Sequence, residues 1–313
     1  MNLIVCPYKF LSEYVAKENK NIIDHLVRIN DFKIIDIEEP DTKITFELLI
    51  KKNKIDLNQI KLVIFFEIYY NFVAIECNKY KFKKIYIIGD LHNSRRISAG
   101  SYNCDILFAN YHYLIKNYLE ENKIKKSYFL PHSAINDFDC DFNNNPINKI
   151  LISGALNKDI YPLRDYLIGL NKDLDFKGLI DYFKHPGYRS KTTDCKYYAE
   201  EINKYLCCFT DCAKDYLLLK FFEIPATGSL LLCEVNDVTR PIMNNLGFID
   251  MENCVFCNKD NLKEKIKYIL DPINRQEIDR IRINGKLFII NKHSVDHRAK
   301  YINDIIYDEF FNI

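Results

Sequence analysis

Short, unbroken apolar runs recur along the chain: Leu3–Cys6, Leu62–Phe66, Ile85–Ile88, Ile106–Ala109, Tyr205–Phe209 and Leu230–Cys233. A strand that carries an apolar side chain at every position is buried on both faces. That is the condition of a parallel strand with helices packed above and below it. Segments with helical spacing lie between the runs, among them Ser12–Ile29, Tyr111–Glu121, Tyr161–Leu170, Tyr197–Asn203, Asn261–Leu270 capped by Asn261, Asn274–Asn291 and Ser294–Phe311. Gly285 inside Asn274–Asn291 costs helix stability. Lys33–Ile37, Ser127–Leu130, Lys149–Ile152, Asp175–Ile180 and Cys254–Cys257 read as further strands, and Ile44–Ile50 fits either strand or helix. The alternation predicts an α/β chain built on doubly wound parallel sheets.

One segment breaks the alternation. Asp137–Asn148 is polar and contains Asn143-Asn144-Asn145-Pro146, which reads as a linker. Two Rossmann-like domains are therefore expected, residues 1–140 and 141–295, with a last helix in 296–313. With 313 residues, of which 48% are hydrophobic, there is material for two cores. The formal net charge of +1 gives no global field to attract nucleic acid or an acidic membrane. Eleven cysteines, odd in number and irregular in spacing, suit reduced thiols of a cytoplasmic protein better than a disulfide scaffold. The start, Met1–Val5, lacks the basic region of a signal peptide and soon meets Pro7. No apolar run approaches the roughly 20 residues of a membrane helix. Oligomeric state is not legible.

In a doubly wound sheet, ligands sit beyond the carboxyl ends of the strands. Gly154 follows one strand and precedes a helix holding Arg164. Backbone amides at such a glycine can approach a phosphate, and an arginine can grip it bidentately. A plain tight turn beside a surface arginine fits equally well. Asp211 is placed to cap a helix running to about Ile224, on which Lys220 and Glu223 share a face and Asp215 lies eight residues before Glu223. Leucine and phenylalanine surround these charges, so a buried carboxylate here needs partners, and a ribose diol would supply them. In the N-terminal half, Gly89-Asp90-Leu91-His92-Asn93 ends a strand, as does Pro131-His132-Ser133. Asp90 or His92 could orient or deprotonate a hydroxyl. Gly-Asp-x-His also opens the first motif of metallophosphoesterases, but their later motifs are missing from the sequence. No residues form a metal site of recognisable spacing: Cys254–Cys257 has no second pair, and Asp139-Cys140-Asp141 falls in the linker.

Lys220-Phe221-Phe222-Glu223-Ile224-Pro225-Ala226-Thr227-Gly228, followed by Ser229 and three leucines, resembles the R/K-x-F-E-x-x-A-x-G-x-x-L signature of GT-B glycosyltransferases. The nearest group is the family 1-like proteins that include spore-maturation glycosyltransferase homologues. Ile150–Gly154 with Tyr161-Pro162-Leu163-Arg164, Asn253–Leu270, and Gly285–Ile302 with its His293-Ser294 and His297-Arg298-Ala299 resemble that group in order and spacing. The resemblance implies a GT-B fold, with an acceptor-binding N-terminal domain and a C-terminal domain holding a nucleotide diphosphate sugar (a UDP- or GDP-sugar) as co-substrate. It also implies a final helix that crosses back to the N-terminal domain. Glu223 would hold the nucleotide ribose, and Asp215 would stand in the place of the first acid of the pair. Lys220 and Arg164 would offset the diphosphate charge with no obligatory metal and no permanently bound cofactor. Gly154 and Gly228 complete the expected donor site, with His132, Ser133 and Asp211 beside it and Asp90 and His92 as catalytic candidates. The acceptor would be a glycan, a protein or a small molecule. A catalytically silent GT-B module that binds glycan or a partner protein is the alternative.

Overall fold

The computed structural model describes residues 1–9, 11, 17–37, 44–66, 76–89, 104–110, 126–184, 194–213 and 215–311. Within these, eleven strands form two sheets whose neighbours all run parallel. The chain divides into two units, one of Met1–Pro131 with Asp296–Ile313 and the other of His132–Val295.

The first unit holds β1 (Asn2–Cys6), β2 (Phe32–Asp36), β3 (Leu62–Phe66), β4 (Lys83–Ile88), β5 (Ile106–Ala109) and β6 (Ser127–Phe129) in the order β2-β1-β3-β4-β5-β6. Every residue of β3 is buried, as its unbroken apolar run requires. Helices α1 (Lys17–Ile29) and α2 (Phe46–Lys52) belong to it. Thr45 caps α2, its side chain accepting from Leu48 N, which settles the ambiguous Ile44–Ile50 segment as helix. The last helix of the chain, written α9 below (Val295–Phe310), is fastened to this unit along its length. Arg298 Nε donates to Pro131 O at 2.8 Å, and Asn30 Nδ2 donates to Asn303 Oδ1 at 2.9 Å. Glu309 accepts from Tyr128 Oη at 2.5 Å and from Lys126 Nζ.

The second unit holds β7 (Ile147–Gly154), β8 (Ile180–Lys184), β9 (Tyr205–Thr210), β10 (Leu230–Glu234) and β11 (Val255–Cys257) in the order β11-β10-β9-β7-β8. Its helices are α3 (Pro162–Leu170), α4 (Cys195–Asn203), α5 (Lys220–Ala226), α6 (Thr239–Leu246), α7 (Leu262–Leu270) and α8 (Arg275–Lys292). Leu163, Leu167 and Leu170 of α3 and Leu262, Ile266 and Ile269 of α7 pack with Ile150, Ile152, Phe209 and Leu232 of the strands in one core. From β7 the chain goes to one side for β8 and to the other for β9. The switch point therefore lies between the carboxyl ends of β7 and β9, where a doubly wound sheet opens a crevice for ligand.

Several sequence expectations are corrected here. Asp175–Ile180 is not a strand. Phe176, only 1% exposed, pins a turn into the core, and the strand starts at Ile180. No helix runs from Asp211: a bridge between Ala213 and Tyr216 turns the chain, and helix begins only at Lys220. Asn261 stands at the cap of α7 without capping it, because its Oδ1 accepts from Asn258 N. Helix α6 had no expectation at all.

The polar segment read as a linker is tied down within the second unit. Arg282 Nε donates to Gly228 O and its Nη2 to Asn143 O, both at 2.9 Å, with the guanidinium over the Phe142 ring. Lys286 Nζ donates to Cys140 O at 2.7 Å and Arg275 Nη2 to Asn144 O at 3.1 Å. Asp139, Asp141, Asn144, Asn145 and Asn148 stay exposed, while backbone carbonyls of the segment accept from α8. Tyr111–Glu121 lies outside the described residues.

Candidate active site

The residues at the switch point come from four places in the sequence. Gly154 ends β7 with φ of 118°, a conformation that L side chains rarely adopt. A Cβ on it would stand 2.8 Å from Arg164 Nη1 and 3.1 Å from Lys220 Cε. One glycine, one arginine from α3 and one lysine from α5 thus converge, although 66 residues of sequence separate the first from the last. The space a side chain would fill is bordered by two cations. Gly154 itself is buried, so the absent side chain makes room for these two cationic side chains at the strand end.

Arg164 is 1% exposed. Its Nε lies 2.7 Å from Asp211 Oδ1, its backbone N donates to Asp211 Oδ2 at 3.3 Å, and its Nη1 donates to Ala155 O at 3.2 Å. The Nε–Oδ1 contact is ionic rather than a directed hydrogen bond, and Nη2 has no hydrogen-bond partner among the described residues. The Tyr161 ring covers the guanidinium, with its centroid 3.9 Å from Cζ. The sequence put Asp211 at a helix cap; its partner is instead this arginine. Burial pushes the Asp211 carboxyl above its ordinary range and Arg164 pulls it back.

Lys220 is 6% exposed and has no carboxylate within ion-pair distance among the described residues. Its Nζ donates to Tyr198 Oη, which lies 2.7 Å from Ser153 Oγ at the end of β7. Glu223, one turn along α5, is also buried. Asp215 lies outside the helix in the preceding turn, where it accepts from Asn236 Nδ2 at 3.1 Å. Gly228, with φ of 87°, follows α5 and turns the chain into β10. His132 and Ser133 are in the second unit, Ser133 buried. Asp90 and His92 lie outside the described residues.

Two features escaped the sequence reading. Tyr198, fully buried on α4, links Lys220 to β7, yet nothing marks it among 22 tyrosines. Glu234, the last residue of β10, accepts from Cys212 N at 3.2 Å. Burial, then the neighbouring Asp211 carboxylate, push its carboxyl up to about 7. All eleven cysteines are free, and ten are buried.

Residues 171–304 match a family model described as glycosyl transferase-like. No curated protein matches the chain in sequence. Solved structures do. Sucrose-phosphate synthase from Thermosynechococcus elongatus superposes with a TM-score of 0.65 at 10% identity, covering 100% of both chains. HepE from Anabaena, solved with UDP and glucose, gives 0.59 at 8% identity over 98% of this chain and 100% of its own. An alpha-glucosyltransferase solved with UDP-glucose and DNA containing an abasic site gives 0.61 at 12% identity over 97% and 98%. The fold is GT-B, as the motifs implied. The glycosyl transferase-like match over residues 171–304 and the GT-B fold of the whole chain both point to glycosyl transfer as its class of reaction. Among the described residues no helix is long and apolar enough to cross a membrane.

Proposed function

We propose that the second unit binds the diphosphate of a nucleotide sugar at Gly154, and that the sugar passes to a hydroxyl of a carbohydrate, protein or small-molecule acceptor held by the first unit. The convergence of Lys220 and Arg164 on the side-chain-free face of Gly154 carries this reading. Lys220 meets the diphosphate, while Arg164, already engaged by Asp211, adds positive potential from the same face of the turn. Together they offset the charge that develops on the leaving group, the role a divalent ion takes elsewhere. Glu223 holds the ribose hydroxyls, and Asp215 lies near the transferred sugar. Asp90 or His92 receives the acceptor proton, and a UDP- or GDP-sugar is the donor. Neighbours solved with UDP and UDP-glucose support the donor class. Calorimetry with a panel of nucleoside diphosphates tests it. Lys220→Ala and Glu223→Ala each should weaken the best binder at least tenfold with the fold intact. Unchanged affinity in both would refute the site, and no nucleotide binding by the wild type would favour a silent binding module.

A further inference from the structure

Lysine is a poor residue for fixing a charge in one place, because its four-carbon stem is flexible and its ammonium is a point donor. Yet Lys220 is buried at the Gly154 turn, with no carboxylate to hold it among the described residues. What holds it is a phenol. Tyr198 is fully buried, and its ring is packed edge-on by Phe138 at 6.0 Å and against Phe183 at 5.8 Å. The ammonium has donors and no acceptor, so the phenolic oxygen must accept from it. The phenolic oxygen also lies 2.7 Å from Ser153 Oγ, a contact in which either hydroxyl can donate. The ammonium also lies 4.8 Å from the centroid of the Tyr198 ring. Ser153 is the residue before Gly154. The position of the cation is therefore referenced, through two hydroxyls, to the strand end whose backbone forms the turn.

We propose that Tyr198 is a positioning residue: with Ser153 it holds the Lys220 ammonium at the Gly154 turn, so that the diphosphate of the donor meets a cation already in place. This rests on the donor-site reading above and adds to it a residue from α4, outside the α5 motif. A neutral acceptor suits the task better than a carboxylate. A carboxylate would neutralise the lysine and compete with the phosphates for it, whereas a phenol orients the charge and leaves it in force.

The test has two arms. In the first, the affinity of UDP and GDP is measured beside that of uridine and guanosine for Tyr198→Phe, Lys220→Ala and the double variant. Tyr198→Phe should weaken the diphosphate about tenfold and leave the nucleoside unchanged. The double variant should bind no worse than Lys220→Ala, because Tyr198 acts through that lysine. In the second, ligand-free protein with 13C-labelled lysine is observed by NMR, the Lys220 signal being assigned by its loss in Lys220→Ala. Its two ε-methylene protons should be distinct in the wild type, as in an immobilised side chain, and should merge in Tyr198→Phe, with Ser153→Ala moving the same way. Equal diphosphate affinity in wild type and Tyr198→Phe, additive losses in the double variant, or an ε-methylene pattern unchanged by Tyr198→Phe would each overturn the proposal. If the wild type binds no diphosphate, the functional reading fails, and the NMR arm alone decides the positioning role.

Discussion

Gly285 sits in the interior of α8, where alanine would raise helix propensity by about 1 kcal/mol. The structure predicts that Gly285→Ala nevertheless destabilises the second unit. A Cβ there would stand 2.6 Å from Asn253 O and 3.4 Å from Pro225 Cβ of α5. A carbon–oxygen contact settles near 3.3 Å, so backbone must move by roughly 0.7 Å. The Asn253 loop is badly placed to do so. Asn253 Oδ1 accepts from Ile249 N and its Nδ2 donates to Gly247 O, both at 2.9 Å. From α8 itself, Arg280 donates to Met251 O at 2.8 Å and Asn284 to Glu252 O at 3.1 Å. Overpacking against a pinned neighbour costs about 3 kcal/mol, the upper end of its usual range. Set against the gain in propensity, the net loss is about 2 kcal/mol. For a unit of this size that lowers the melting temperature by roughly 4–8 °C in a calorimetric scan. A variant melting at or above the wild type would show that the loop yields, and would refute the claim that close approach is the reason for the glycine.

Two further predictions concern buried charge. Glu234 has a folded pKa raised to about 7 from an ordinary carboxyl value, so its contribution is complete at acid pH and is lost as pH rises through 7. Glu234→Gln should therefore flatten the stability profile between about pH 5 and 7, gaining about 1 kcal/mol at pH 8 once screening of a partly exposed carboxyl is allowed for, by urea unfolding across that range; an unchanged slope would count against it. Arg164→Ala leaves Asp211 buried without its cation and should cost about 3–5 kcal/mol, whereas Arg164→Met with Asp211→Leu should recover much of that loss in the same unfolding assay.

The strands were the legible part of the fold. A run such as Leu62–Phe66 admits few placements other than a strand covered on both faces. Asp175–Ile180 misled because Phe176 is apolar for a different reason, the anchoring of a turn. The stretch Asp215–Leu219 misled because leucines in a partly buried irregular segment look like those on a helix. At the site, Gly154, Lys220 and Glu223 stood in motifs, and the structure gathers Gly154 and Lys220 with Arg164. The partner of Arg164 could not be read, since Asp211 lies 47 residues away and reaches it only through the adjacency of β7 and β9. Tyr198 was invisible for the same reason.

The first unit is discontinuous: Asp296–Ile313 belongs to it, while the whole second unit intervenes. A ribosome delivers the chain from the amino end, and domains complete themselves as their residues emerge. The second unit, in the middle of the gene, can therefore close its core while the first still lacks a helix. Until Arg298 reaches Pro131 and Glu309 reaches Tyr128, β6 stands at the margin of an unfinished sheet. The unit that starts first is finished last, and for the time it takes to synthesise about half the protein it is the part a chaperone would find exposed.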